Sequence, residues 1–145
     1  MKMKEAKPFL KWAGGKTQLI NDIKKVLPKE FTKYKFNYIE PFVGSGAVLF
    51  WMLNNFPKIE KAIINDINAD LTNTYKVFSH SPFELISILN QFQDEYHSLE
   101  DNSEIKKEYY LEKRENFNSR KFSNTEQAAF FIFLKRFKTE LDKSV

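Results

Sequence analysis

With 145 residues the chain suits one domain and can bury a real core. It has no cysteine, which excludes disulfides and thiolate metal sites, and no apolar run of membrane-spanning length. The charged start Met1-Lys2-Met3-Lys4-Glu5 has no apolar stretch behind it, so no signal peptide is expected and a cytoplasmic location is predicted. The net charge of +4 hides a segregation. Residues 1–35 hold ten lysines and three acids, residues 36–112 five lysines and twelve acids, and residues 113–138 seven basic residues and two acids. Singly, most of these lysines read as solvated helix faces, but a polyanion would be drawn to the two basic ends.

Phe9 to Trp12 leads into Ala13-Gly14-Gly15-Lys16-Thr17. Gly15-Lys16-Thr17 resembles the end of a phosphate loop, but that motif needs a glycine where Leu10 stands. Gly14 and Gly15 instead permit close backbone packing, with the charge of Lys16 beside them. A lone Trp such as Trp12 is most often a core aromatic. Leu19, Ile20, Ile23, Val26 and Leu27 predict an amphipathic helix over 17–27, closed by Pro28.

Phe36, Tyr38 and Ile39 have strand-type side chains, and Pro41 should stop that strand near Glu40. Gly44 and Gly46 allow a sharp turn and the close approach of a ligand. The run from Ala47 through Phe56 fits a buried helix, whose free N–H groups would face whatever lies over the glycines. Asn54 to Lys61 then reads as a link to a second strand, Lys61 to Asp66. An acid at the end of a second strand, about 20 residues after such glycines, is where a nucleotide-binding fold holds ribose hydroxyls. Asp66 could also cap the helix that opens at Asn68 to Asp70, a role compatible with ribose binding.

Beyond that point the pattern turns helical. Leu71, Thr74, Tyr75 and Phe78 fall on one helix face. Ser81-Pro82-Phe83-Glu84 is a helix start, continued by Leu85, Ile88, Leu89, Phe92, Tyr96 and Leu99. Residues 100–103 break it, and Ile105 and Tyr109 begin another helix. Ser123-Asn124-Thr125-Glu126 is a second capping box, before an apolar helix over 128–134 that ends in Lys135-Arg136. His80 and His97 are isolated and read as exposed or helix-end residues.

The segments Lys7-Pro8-Phe9-Leu10-Lys11-Trp12-Ala13-Gly14-Gly15-Lys16, Glu40-Pro41-Phe42-Val43-Gly44-Ser45-Gly46, Asn65-Asp66-Ile67-Asn68 and Tyr109-Tyr110-Leu111-Glu112-Lys113-Arg114-Glu115-Asn116-Phe117-Asn118 resemble the Dam-type (D12 class) adenine-N6-specific DNA methyltransferases. The four motifs occur in the family's order over residues 7 to about 134. The resemblance implies an α/β fold: a partial Rossmann-like S-adenosylmethionine-dependent methyltransferase core over 1–68, with an inserted all-helical target-recognition region over 69–145. It implies that Trp12, Gly14, Lys16, Glu40, Pro41, Phe42, Gly44, Ser45, Gly46, Asp66 and Ile67 line the site for S-adenosylmethionine, with Lys16 near the donor's carboxylate. Arg114, Arg120, Lys121, Lys135 and Arg136 are the expected contacts to double-stranded DNA. Neither a metal nor a membrane is expected as a partner.

Two parts of the family pattern are absent. Its catalytic Asp-Pro-Pro-Tyr motif is missing, since the prolines at 8, 28, 41, 57 and 82 are never adjacent. Past residue 134 the expected Asn-Gly hairpin that probes DNA is not found either. The chain therefore reads as a truncated, N-terminal portion of such an enzyme, inactive alone; a truncated reading frame fits, and so does one half of a split enzyme whose C-terminal half carries the catalytic motif. A non-catalytic DNA- or cofactor-binding module of the same fold, and an unrelated nucleotide-binding protein, are the alternatives.

Overall fold

A computed structural model describes residues 5–10, 16–99 and 103–141. The chain divides into two compact units, Met1–Ile67 and Asn68–Val145.

The first unit is built on two parallel strands, β1 (Phe36–Glu40) and β2 (Ile59–Ile64), joined by helix α2 (Ala47–Asn55). Parallel neighbours need such a crossover, because a tight turn can only reverse the chain. The register sets Tyr38 against Ala62, Ile39 against Ile63 and Glu40 against Ile64. Helix α2 is apolar nearly all round; it buries Ala47, Val48, Leu49 and Met52 and leaves Leu53 exposed, so only one side of it is enclosed. It stops at Asn55, where the Phe56 amide bonds back to the Met52 carbonyl and Pro57 follows. The predicted link over 54–61 is therefore shorter than expected, because pairing with Phe36 draws Ile59 into β2. Phe56 instead joins an aromatic cluster, with ring centroids 5.0 Å from Phe31 and 5.3 Å from Trp51. The helix predicted over 17–27 is a 3-10 turn (Lys16–Leu19) followed by α1 (Ile20–Val26), and none of its residues is fully buried. Leu27 leaves in extended geometry before Pro28.

The second unit holds α3 (Ala69–His80), α4 (Pro82–Ser98), α5 (Ser103–Ser119) and α6 (Asn124–Leu141). Helix α6 packs against the other three. Ala128 and Ala129, fully buried, have no side-chain bulk to hold neighbouring helices away, and Phe130, Phe133 and Phe137 fill the space beyond them. Phe130 stacks on Phe92 at 5.2 Å, and Phe137 lies 4.4 Å from Tyr96 and 4.6 Å from Phe133. Pairs of this kind contribute about 0.5–1.5 kcal/mol each beyond their buried area.

Several details depart from the sequence pattern. On α3, Val77 is buried and Phe78 is largely exposed, so the inward stripe leans one residue from the expected one. Ser81 takes the N-cap position of α4 without a side-chain cap bond, and Glu84 accepts from the Thr125 hydroxyl instead. At α6 the capping box forms fully. Glu126 Oε2 accepts from the amide and the hydroxyl of Ser123, while the Glu126 amide donates to the Ser123 hydroxyl oxygen. The expected end of that helix at Lys135-Arg136 is overrun, and α6 continues to Leu141. The break expected over 100–103 falls mainly outside the described residues; Ser103 already belongs to α5.

Candidate functional site

The segment Pro41–Gly46 leaves β1 and enters α2 through two left-handed glycines, Gly44 (φ 54°) and Gly46 (φ 81°). Any Cβ at these positions would cost about 1–2 kcal/mol. Three neighbouring backbone groups fix the turn. The Phe42 carbonyl accepts from the Lys16 ammonium. The Val43 amide donates to the Asn65 carbonyl at 2.9 Å, and the Gly44 amide donates to Asp66 Oδ2 at 2.9 Å. The Asn65 amide returns a bond to the Glu40 carbonyl, so the turn is tied to the end of β2. Gly46 is the N-cap residue of α2 and supplies no side-chain cap.

Asp66 thus grips the glycine turn and does not cap α3. That role belongs to Asn68, whose Oδ1 accepts from the Leu71 amide at 2.9 Å. Sequence pattern alone left both readings of Asp66 open, because Asp and Asn are equally good caps.

Glu40 is 6% exposed and bonded at both oxygens. Oε1 accepts from Lys16 Nζ at 3.1 Å and Oε2 from the Tyr38 hydroxyl at 2.7 Å. Burial, and then the bond to Glu40, push the Tyr38 hydroxyl well above its ordinary pKa, so it stays a donor. Tyr38 was not among the expected site residues. Its position two before Glu40, on the same strand face, is the signal that could have found it.

Of the expected donor-site residues, Lys16, Glu40, Pro41, Phe42, Gly44, Ser45, Gly46, Asp66 and Ile67 all lie in the first unit. Ser45 and Gly46 are buried, while Phe42 (69% exposed) and Ile67 (95% exposed) leave apolar side chains open to solvent. Trp12 and Gly14 lie outside the described residues.

The basic candidates all belong to the second unit and are exposed. Arg114 is on α5 and Lys121 in the turn before α6. Lys135 and Arg136 sit about 17 Å further along the α6 axis from its start, at 1.5 Å per residue. The structure therefore spreads these charges along the α5–α6 pair. Arg120 is already engaged. Its guanidinium makes a bidentate pair with Asp70, the Nη2–Oδ2 contact being 3.0 Å, and lies 4.2 Å from the Phe117 ring centroid. The bond to Asp70 raises its pKa further. Among the described residues no group of three or more His, Cys, Asp or Glu could hold a metal ion, and no helix is long and apolar enough to cross a membrane.

Comparison with known proteins identifies the family. The family model for D12 class N6 adenine-specific DNA methyltransferases matches residues 12–141, beyond residue 134 where the sequence resemblance was expected to fail. The chain is 46% identical over 135 residues to the type II methyltransferase M.MjaIII of Methanocaldococcus jannaschii, covering 91% of this chain and 46% of that protein. It is 35% identical over 133 residues to the type II methyltransferase M1.LlaDCHI of Lactococcus lactis subsp. cremoris, covering 90% of this chain and 40% of that protein. The DNA adenine methylase of Haemophilus influenzae matches at the same identity and the same shares. The chain spans less than half the length of these relatives. It belongs to the D12 class of N6 adenine-specific DNA methyltransferases.

Proposed function

We propose that the chain is the N-terminal, donor-binding portion of a site-specific methyltransferase that acts on adenine N6 in double-stranded DNA. In this reading β1, α2 and β2 are part of a Rossmann-like core, residues 1–68, and residues 69–145 belong to a helical target-recognition region inserted after β2. The observation that carries the reading is the Asp66–Gly44 bond, which couples the acid two residues past β2 to a turn with two positive-φ glycines.

The residues present fit S-adenosylmethionine, which when bound supplies an activated methyl group. A carboxylate offers about four lone-pair sites, so holding the Gly44 amide does not prevent Asp66 from accepting a ribose hydroxyl. The glycines let the ligand approach the backbone at the uncapped start of α2. Phe42 and Ile67 offer exposed apolar surface to a base. Arg114, Lys121, Lys135 and Arg136, with the remaining donors of Arg120, supply a cationic strip for DNA phosphates.

The chain alone is inactive in this account. No Asp-Pro-Pro-Tyr motif is present to hold the adenine amino group in line with the donor methyl, and such positioning is most of what this kind of enzyme supplies. A second reading, from a different class, is a non-catalytic DNA- or cofactor-binding module of the same fold. A tritiated methyl-transfer assay on adenine-rich duplex DNA separates them. The proposal expects no transfer by the chain alone and transfer once a polypeptide carrying the missing motif is added. Turnover by the chain alone would contradict it.

A further inference from the structure

Lys16 is expected to sit near the donor's carboxylate, yet its ammonium is bound to the protein: to Oε1 of Glu40 at 3.1 Å and to the Phe42 carbonyl. Glu40 is buried, so an ammonium that swung away to a ligand would leave a desolvated carboxylate without its counter-charge. The Phe42 carbonyl immediately precedes the two amides held by Asn65 and Asp66. Lys16 therefore grips the turn from one side while the end of β2 grips it from the other.

We infer that Lys16 is a positioning residue. It fixes the Phe42–Gly44 backbone through Glu40 and the Phe42 carbonyl, and it shapes the nucleoside end of the site rather than touching the carboxylate end of the ligand. This rests on the donor site proposed above.

The test compares Lys16→Met and Lys16→Arg by calorimetry with two ligands: S-adenosylhomocysteine, and 5′-methylthioadenosine, which has no amino-acid carboxylate. Lys16→Met is expected to weaken both by the same factor, roughly tenfold, with partial recovery in Lys16→Arg. Loss of S-adenosylhomocysteine affinity with methylthioadenosine unchanged would make Lys16 the carboxylate partner and overturn the inference. Unchanged affinity for both, with only lower thermal stability, would make the residue merely structural and also overturn it. Hydrogen exchange on the ligand-free protein keeps the two claims separable. The Val43 and Gly44 amides should exchange about tenfold faster in Lys16→Met and recover in Lys16→Arg. Unchanged exchange contradicts the positioning role. Accelerated exchange in a protein whose wild type binds neither nucleoside supports that role and overturns the donor-site reading alone.

Discussion

The Asp66 carboxylate accepts the Gly44 amide at 2.9 Å, joining the end of β2 to the left-handed turn that starts α2. In the proposed donor site this residue would have two tasks, holding the backbone of the turn and presenting charged oxygen to a ligand. Asp66→Ala removes both. A lost charge-assisted bond costs roughly 1.5–3 kcal/mol, so affinity for S-adenosylhomocysteine should fall about ten- to a hundredfold by calorimetry. Equal affinities would remove Asp66 from the site.

Arg120 adopts φ 56°, a left-handed conformation that side chains with a Cβ resist, at the end of α5. Its bidentate pair with Asp70 and its contact with Phe117 compensate. Arg120→Gly loses the pair but relieves the backbone, whereas Arg120→Ala loses the pair and keeps the strain. Arg120→Ala should therefore be less stable than Arg120→Gly by about 1 kcal/mol, read from urea midpoints. A glycine variant no more stable than the alanine variant would contradict this.

Tyr109 donates to Glu95 Oε2 at 2.5 Å, and Lys113 Nζ lies 3.4 Å from the same oxygen and 4.5 Å from the Tyr109 ring centroid. The bond from Tyr109 is the largest of the effects that hold Glu95 below its ordinary range. A depressed carboxylate contributes stability above its unfolded pKa and loses it as the pH falls through the folded one. Burial, then Glu95, push Tyr109 upward, so its contribution is present below its ordinary value near 10 and is lost at more alkaline pH. Tyr109→Phe should flatten both arms, with a smaller drop in urea midpoint between about pH 7 and about pH 3 than wild type shows. Parallel acid arms would show that the pair is not coupled to folding.

Binding of DNA should be weak, salt-sensitive and nearly indifferent to sequence. Replacing Lys135 and Arg136 with Ala should make the slope of log K against log salt shallower by about two. Binding unchanged between about 50 and about 200 mM salt would exclude phosphate contacts.

Much of this was legible in the sequence because local chemistry dictated it. Pro41 ended β1, the Gly44 and Gly46 turn preceded α2, and Ser123 with Glu126 capped α6. What was not legible depends on neighbours distant along the chain. Ile59 enters β2 because Phe36 pairs with it, and Ser81 gives up its cap bond where Glu84 meets Thr125 on α6. That these residues gather at the glycine turn could be read, but not which of them hold each other. Lys16 was expected near a ligand and is bound to Glu40 and Phe42, and Arg120 was expected on DNA and is paired with Asp70.

The claim that the glycine turn binds the nucleoside end of a methyl donor is tested most directly by titrating isotopically labelled protein with S-adenosylhomocysteine and following each backbone amide by NMR. The account predicts saturable shifts at Val43, Gly44, Gly46, Ala47 and Ile67, with the amides of α6 unmoved. Shifts confined to the second unit, or none up to about 1 mM ligand, would contradict it.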